Sequence, residues 1–80
     1  MFHYPERRVL QSDGVVIARL AASNFRVELV EGAIVLCRPN STITRHRVSI
    51  YPGDKVLVEL PIHTGEMSRG RIVFRYATVN

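Results

Sequence analysis

The sequence contains one cysteine, few aromatic residues (8%) and no long apolar run. Cys37 has no partner for an internal disulfide, which fits a reducing compartment, and we expect it to be a small buried residue on a strand. No apolar run approaches the roughly 20 residues needed to span a bilayer. Residues 1–8 lack the basic-then-apolar order of a secretory signal. The sequence therefore predicts a cytoplasmic protein.

Groupings of residues that would indicate an enzyme or a metal site are also missing. His3, His46 and His63 lie far apart, with no paired cysteine or carboxylate at metal-ligand spacing. There is no glycine-rich phosphate loop, nucleophile elbow or Cys–His pairing signature. A chain of 80 residues buries one small core and has little room for a deep substrate cavity. We expect no catalysis, no cofactor and no metal, and a shallow binding surface.

Acidic residues are scarcer than basic ones. Seven acidic residues against eleven basic ones give a formal net charge of +4, and ten of the eleven are arginine. Residues 41–80 carry six of these basic residues against three acids. A basic surface attracts nucleic acid or anionic membrane, and the arginine guanidinium pairs well with phosphate. Nucleic acid is the leading partner, bound mostly by the second half of the chain.

Short β-branched runs separated by turn residues recur along the chain, and no helical period is sustained. Gly14 lies inside the first run, where a bulge or sharp bend is expected. Val48 and Ile50 are predicted to point inward from an alternating stretch at 47–51. Residues 42–46 are predicted to form a single helical turn or an ordered loop. The predicted strands cover residues 9–20, 25–29, 33–38, 55–60 and 69–76, with turns at 21–24, 31–32 and 52–54.

Three meander strands, an irregular crossover and two further strands are the order of an OB-fold. We therefore predict an all-β, five-stranded OB-fold barrel with a short helical turn or loop between strands three and four. An SH3-like barrel has similar short antiparallel strands and remains the main alternative. The long first strand, interrupted by Gly14, favours the OB-fold because a small barrel needs one strand to pair with both sheets. The predicted domain covers residues 9–76, between a flexible arm at 1–8 and a tail at 77–80.

The last predicted strand carries three arginines and no acid. Arg71 and Arg75 are predicted to share a face with Val73, and Arg69 precedes them. Gly70 is expected to let the backbone come close to a partner. Guanidinium groups presented in this way can follow a phosphate backbone, although a solvated outer face explains the charge equally well.

A second basic element, Arg45-His46-Arg47, lies in the predicted crossover. It could lie beside the first across the barrel mouth or on the opposite side, and the sequence leaves both open. Phe25 and Phe74 are predicted to be core residues, so the only candidate stacking platforms are Phe2, Tyr4, Tyr51 and Tyr76. We expect RNA binding to depend more on phosphates and shape than on stacking.

Three motifs together, at residues 25–29, 52–60 and 69–75, resemble the bacterial translation initiation factor one family over about residues 10–76. The resemblance implies a monomeric OB-fold protein that binds the decoding A site of the small ribosomal subunit. Its contacts there would be ribosomal RNA and a neighbouring ribosomal protein. It would keep initiator tRNA out of that site and cooperate with the other two initiation factors.

By this resemblance, Arg69, Arg71 and Arg75 match RNA-facing basic positions of the family's last strand, and Arg45 falls in its basic crossover loop. Arg47 and Gly70 complete the predicted RNA-binding set. Thr42 and Thr44 depart from the family, because basic residues are expected there. A general single-stranded RNA-binding protein or RNA chaperone of the cold-shock kind is the alternative, but residues 33–38 lack the aromatic residues of that family. A barrel that binds only a protein partner is a third possibility.

Overall fold

The computed structural model describes residues 9–61 and 69–77. Within these ranges, five strands close into a barrel in the order β1–β2–β3–β5–β4. The β3–β5 pair is parallel and the other pairs are antiparallel. The predicted five-stranded OB-fold barrel with a short helix after the third strand is confirmed. Its elements are β1 (Val9–Leu20), β2 (Asn24–Leu29), β3 (Ile34–Pro39), α1 (Ser41–Arg45), β4 (Lys55–Pro61) and β5 (Arg69–Arg75).

Several predictions concern parts of the chain outside the described residues. These parts are residues 1–8, for which a flexible arm is predicted, residues 62–68, for which a loop is predicted, and residues 78–80 of the predicted tail. The candidate stacking residues Phe2 and Tyr4, together with His3 and His63, belong to the first two of these parts.

Strand β1 is long because it belongs to both halves of the barrel, pairing first with β4 and then with β2. Gly14 lies at the exchange point and pairs with both Leu29 and Val56. A Cβ atom on Gly14 would lie 2.9 Å from the backbone oxygen of Glu28, so glycine is required by close strand packing. The bulge itself comes three positions later, at Ile17.

The barrel interior is filled by apolar side chains that alternate along the strands, as the period-two pattern predicts. Cys37 is among them, and the prediction that it is buried is confirmed. Burial raises the pKa of the Cys37 thiol to about 12, so this cysteine stays neutral and acts as a packing residue. The core consists of Val16, Phe25, Val27, Leu29, Val35, Cys37, Ile43, Ile50, Val56, Val58, Leu60 and Ile72.

The segment predicted as a helical turn or an ordered loop is the short helix α1. Asn40 caps it, because its side-chain oxygen accepts a hydrogen bond of 2.9 Å from the backbone N–H of Ile43. The Ile43 side chain is only 6% exposed and joins the core. The backbone N–H of Asn40 also donates to the Ile72 carbonyl on β5, at 2.9 Å. These contacts attach α1 to the barrel at the end of β3.

Residues 47–51 cover the barrel without joining the sheet as a strand. Ile50 is buried and Val48 packs against the core, so their predicted inward orientation is confirmed. The turn predicted at residues 52–54 is also present: the Asp54 N–H donates to the Tyr51 carbonyl at 3.0 Å. Gly53 has φ +97°, a conformation that glycine adopts without strain.

The pairing between β4 and β5 is interrupted by a bulge at Val73. Ile72 pairs with Val58, but Phe74 pairs with Leu57, the next residue along β4. The extra residue reverses the inward and outward alternation of β5. Phe74 is consequently 51% exposed, and the prediction that it is a core residue is wrong.

Candidate nucleic-acid interface

Four arginines on three neighbouring strands point out from one wall of the barrel. Arg26 on β2 pairs with Leu36 on β3, which pairs in turn with Arg69 on β5. In the next row, Arg38 on β3 pairs with Arg71 on β5. All four arginine side chains are exposed. We refer to Arg26, Arg38, Arg69 and Arg71 as the arginine face.

The barrel geometry brings these four residues close together. Neighbouring strands lie about 4.8 Å apart, so the Cα atoms of Arg38 and Arg71 are separated by about 5 Å and those of Arg26 and Arg69 by about 10 Å. Each arginine alternates with an inward residue, such as Cys37 before Arg38. The core therefore fixes the direction of every member of the arginine face.

The guanidinium groups of the arginine face are available to an outside ligand. Among residues 9–61 and 69–77, no carboxylate oxygen lies within 4.0 Å of them. Glu59 pairs with Arg71 across β4 and β5, but its carboxylate accepts a hydrogen bond of 3.2 Å from the Gln11 side chain. Arginine remains charged and has five N–H donors in a planar fork, which suits phosphate oxygens. The arrangement can therefore bind a polyanion through several phosphates.

Gly70 lies between Arg69 and Arg71 and is directed toward the barrel interior. A Cβ atom there would lie 2.8 Å from Cγ1 of Val58 and 2.9 Å from Cδ2 of Leu60. The structure thus requires glycine at this position for internal packing. This reason differs from the predicted one, which was close approach of the backbone to a partner.

Arg75 does not lie with Arg71, and the prediction that the two share a face with Val73 is wrong. The bulge places Arg75 opposite Val56, a buried residue. One Arg75 guanidinium nitrogen lies 4.0 Å from the Asp54 carboxylate. The Arg75 Nε atom is buried and has no hydrogen-bond partner among the described residues. Arg75 therefore packs at the end of the barrel beside the turn before β4.

The second predicted basic element lies at the end of α1. Arg45 is in the last turn of the helix, and Arg47 follows with φ 56°. Arg45, His46 and Arg47 are all exposed. Because α1 closely follows β3, these residues come shortly after the strand that carries Arg38. Their side chains form no ion pair or hydrogen bond with other described residues.

Arg26 and Arg38 are absent from the sequence-based prediction. Alternation places Arg26 toward water but does not show which strands lie beside it. Arg38 is brought next to Arg71 by the parallel pairing of β3 and β5, which joins segments that are distant in sequence. Exposed arginines at alternating positions of the second and third strands were the available signal.

Other kinds of site have no support in the described part of the chain. It contains no group of three or more His, Cys, Asp or Glu side chains arranged to hold a metal ion. Within the same residues, no helix is long and apolar enough to cross a membrane.

Comparison with known proteins gives a family match and similarity to several solved structures. The model of the translation initiation factor 1A / IF-1 family matches residues 1–80. The chain is similar to the solution structure of translation initiation factor one from the Wolbachia endosymbiont strain TRS of Brugia malayi. The sequence identity is 33% and the TM-score is 0.70, and the match covers 86% of this chain and 79% of that one. It is also similar to YjeQ from Thermotoga maritima, with 25% identity and a TM-score of 0.66, over 85% of this chain but 23% of that one.

Proposed function

Because the chain belongs to the translation initiation factor 1A / IF-1 family, we propose that it binds the small ribosomal subunit through ribosomal RNA. The proposed location is the decoding A site, where the bound protein keeps initiator tRNA out and assists the other initiation factors. A neighbouring ribosomal protein is the second proposed contact. In this proposal the protein acts as a cytoplasmic monomer, without cofactor, membrane or catalysis.

The arginine face is the observation that carries the proposal. It offers four guanidinium groups on a rigid wall, none of them within 4.0 Å of a carboxylate of the described residues. Ribosomal RNA has a dense line of phosphates, and arginines carried on a rigid barrel wall bind such a line with little loss of backbone freedom. RNA binding by this wall is therefore the activity that the geometry supports best.

The remaining predicted site residues enter the proposal in different roles. We propose that Arg45 and Arg47 contact RNA from the exposed end of α1. Arg75, whose side chain is 34% exposed, contributes through that exposed part. Gly70 acts through packing, because it lets β5 lie close to β4 and hold Arg69 and Arg71 in line. The proposed binding domain is residues 9–76, between the predicted arm at 1–8 and the predicted tail at 77–80.

The proposal is tested by sedimenting the labelled protein with purified small ribosomal subunits at near-physiological salt. Wild-type protein is expected to bind saturably, one to one, and not to large subunits. The double variant Arg69→Ala/Arg71→Ala loses two charge-assisted contacts of roughly 1 kcal/mol each, so its affinity is expected to fall by about 30-fold.

Matched single variants separate position from charge. Arg71→Ala and Arg19→Ala each remove one positive charge from an exposed strand position, but Arg19 pairs with the buried Phe25 and lies outside the arginine face. Arg71→Ala is expected to weaken binding and Arg19→Ala to leave it unchanged. Full binding by a folded double variant would remove the arginine face from the site. Equal binding to large subunits and to generic single-stranded RNA would favour the cold-shock alternative.

A further inference from the structure

An aromatic pair on the outer surface of β4 and β5 has no part in the function proposed so far. Phe74 is 51% exposed, and Tyr76, directly after β5, is half-buried. Their ring centroids are 5.2 Å apart and the ring planes meet at 74°, an edge-to-face contact. Tyr76 therefore supports the Phe74 ring while much of that ring remains in contact with solvent.

Tyr76 is itself held by two hydrogen bonds. Its hydroxyl donates to the Asp13 carboxylate on β1, and its backbone N–H donates to the Lys55 carbonyl at 2.9 Å. The Tyr76 ring is thus held in place before any ligand arrives, and the Phe74 ring rests against it. A fixed aromatic surface binds a planar ligand with little loss of conformational entropy.

Positive charges lie on both sides of the exposed ring. Phe74 pairs with Leu57, which lies midway between Lys55 and Glu59 on β4, and Arg71 pairs with Glu59. Lys55 and Arg71 are therefore separated by about 13 Å along the strand direction, at 3.3 Å per residue. Arg71 also belongs to the arginine face, so the two surfaces are continuous along β5.

Three carboxylates near this surface are already engaged within the protein. Asp54 lies 4.0 Å from an Arg75 guanidinium nitrogen. The Asp13 carboxylate accepts a hydrogen bond from the Tyr76 hydroxyl, and the Glu59 carboxylate accepts one from the Gln11 side chain. A ligand with a flat apolar part between two anionic groups matches this surface. A nucleotide within an RNA strand has that form, with a base between its own phosphate and the next one.

We propose that Phe74, supported by Tyr76, stacks on an unpaired base of the bound RNA while the adjacent phosphates reach Arg71 and Lys55. This inference rests on the proposed function, because the arginine face must first hold the RNA. Stacking on an aromatic ring tolerates any base, since every base has a π face. The site therefore selects unpaired nucleotides and not a particular sequence.

The test compares two RNA hexamers that carry the same phosphates, one with normal bases and one abasic, by fluorescence anisotropy. Phe74→Ala is expected to weaken binding of the normal hexamer by about fivefold to a hundredfold and to leave binding of the abasic hexamer unchanged. Phe74→Leu keeps apolar surface but removes the ring, so it should behave like Phe74→Ala. Val30→Ala removes apolar surface at an exposed residue outside this region; it is the control and should have no effect.

The outcomes separate this inference from the proposed function. Equal weakening of both hexamers by Phe74→Ala, or no effect on either, overturns the stacking site. If Phe74→Ala weakens binding only to whole small subunits, Phe74 does not act by stacking on an unpaired base of single-stranded RNA, and the inference is again overturned. In all these cases Arg69→Ala/Arg71→Ala still weakens both hexamers if the arginine face holds RNA as proposed, and a lack of effect from that double variant removes the arginine face from the site instead. Circular dichroism of each variant establishes that it is folded.

Discussion

The role of each residue on β5 depends on whether its side chain points out of the barrel or into it. Arg69 and Arg71 point outward and are available to RNA, whereas Gly70 between them points inward against Val58 and Leu60. The same short motif therefore contains residues of the proposed binding surface and a packing residue. We therefore expect variants of Arg69 and Arg71 to change RNA affinity and variants of Gly70 to change stability.

Gly70→Ala is expected to destabilise the barrel without removing the binding site. The added methyl group would lie within 3.0 Å of two buried side chains, and such overpacking costs about 1–3 kcal/mol. The free energy of unfolding, measured by chemical denaturation, should fall by this amount. RNA affinity, measured on the folded protein under the same buffer conditions, should stay within about twofold.

The opposite result for Gly70→Ala would restore the role predicted from the sequence. Unchanged stability with a large loss of RNA affinity would mean that the glycine admits the RNA backbone. Because the two quantities are measured separately, destabilisation cannot be mistaken for loss of binding.

At the scale of elements, a short helix and a bulge determine what the strands present. α1 has five residues, too few to be stable alone, so its formation depends on its cap and its contact with the core. Before the bulge at Val73, the outer side of β5 carries Arg69 and Arg71. After the bulge, it carries the exposed Phe74. These two irregularities shape the surfaces that adjoin the arginine face.

Asn40→Ala is expected to destabilise the protein by about 1 kcal/mol, because it removes the hydrogen bond that caps α1. Asn40→Asp and Asn40→Ser retain a capping oxygen and should recover most of the loss. Thermal unfolding of the three variants checks the order. If all three are equally destabilised, the Asn40 side chain has a role other than capping.

At the scale of the whole molecule, the formal net charge is +4, and four of the exposed arginines lie together on the arginine face. Ion pairing is sparse in the described residues, with Arg75 and Asp54 in contact at 4.0 Å. Most positive charges of this part of the chain therefore remain free to attract a polyanion over several ångströms. Binding should accordingly be strongly dependent on ionic strength.

The logarithm of the affinity for single-stranded RNA is expected to fall with the logarithm of salt concentration, with a slope of about −3. Four phosphate contacts by the arginine face, each contributing about −0.7, give this value, and each further phosphate contact by Arg45, Arg47 or Lys55 would make the slope steeper by about 0.7. Arg69→Ala/Arg71→Ala should reduce the slope by about 1.4, and Arg69→Lys/Arg71→Lys should preserve it. Titrations at several salt concentrations measure the slope, and an affinity independent of salt would contradict phosphate binding.

Features that depend on local periodicity and turn chemistry can be predicted from the sequence. The inward positions of Val56 and Val58 follow from period-two alternation, and Pro52-Gly53 predicts its turn because proline fixes one backbone angle and glycine accepts the positive one. The number and order of strands, and hence the barrel, follow from repeating these local signals. The family was predicted from the resemblance of the three motifs at residues 25–29, 52–60 and 69–75.

Tertiary structure alone decided which residues lie side by side and which side of β5 they occupy. Arg38 meets Arg71 because β3 and β5 pair in parallel, a contact between distant segments that no local pattern encodes. Phe74 is exposed because one extra residue at Val73 shifts the pairing with β4. Alternation is a local rule, whereas register is set by the fit of whole strands around a closed barrel.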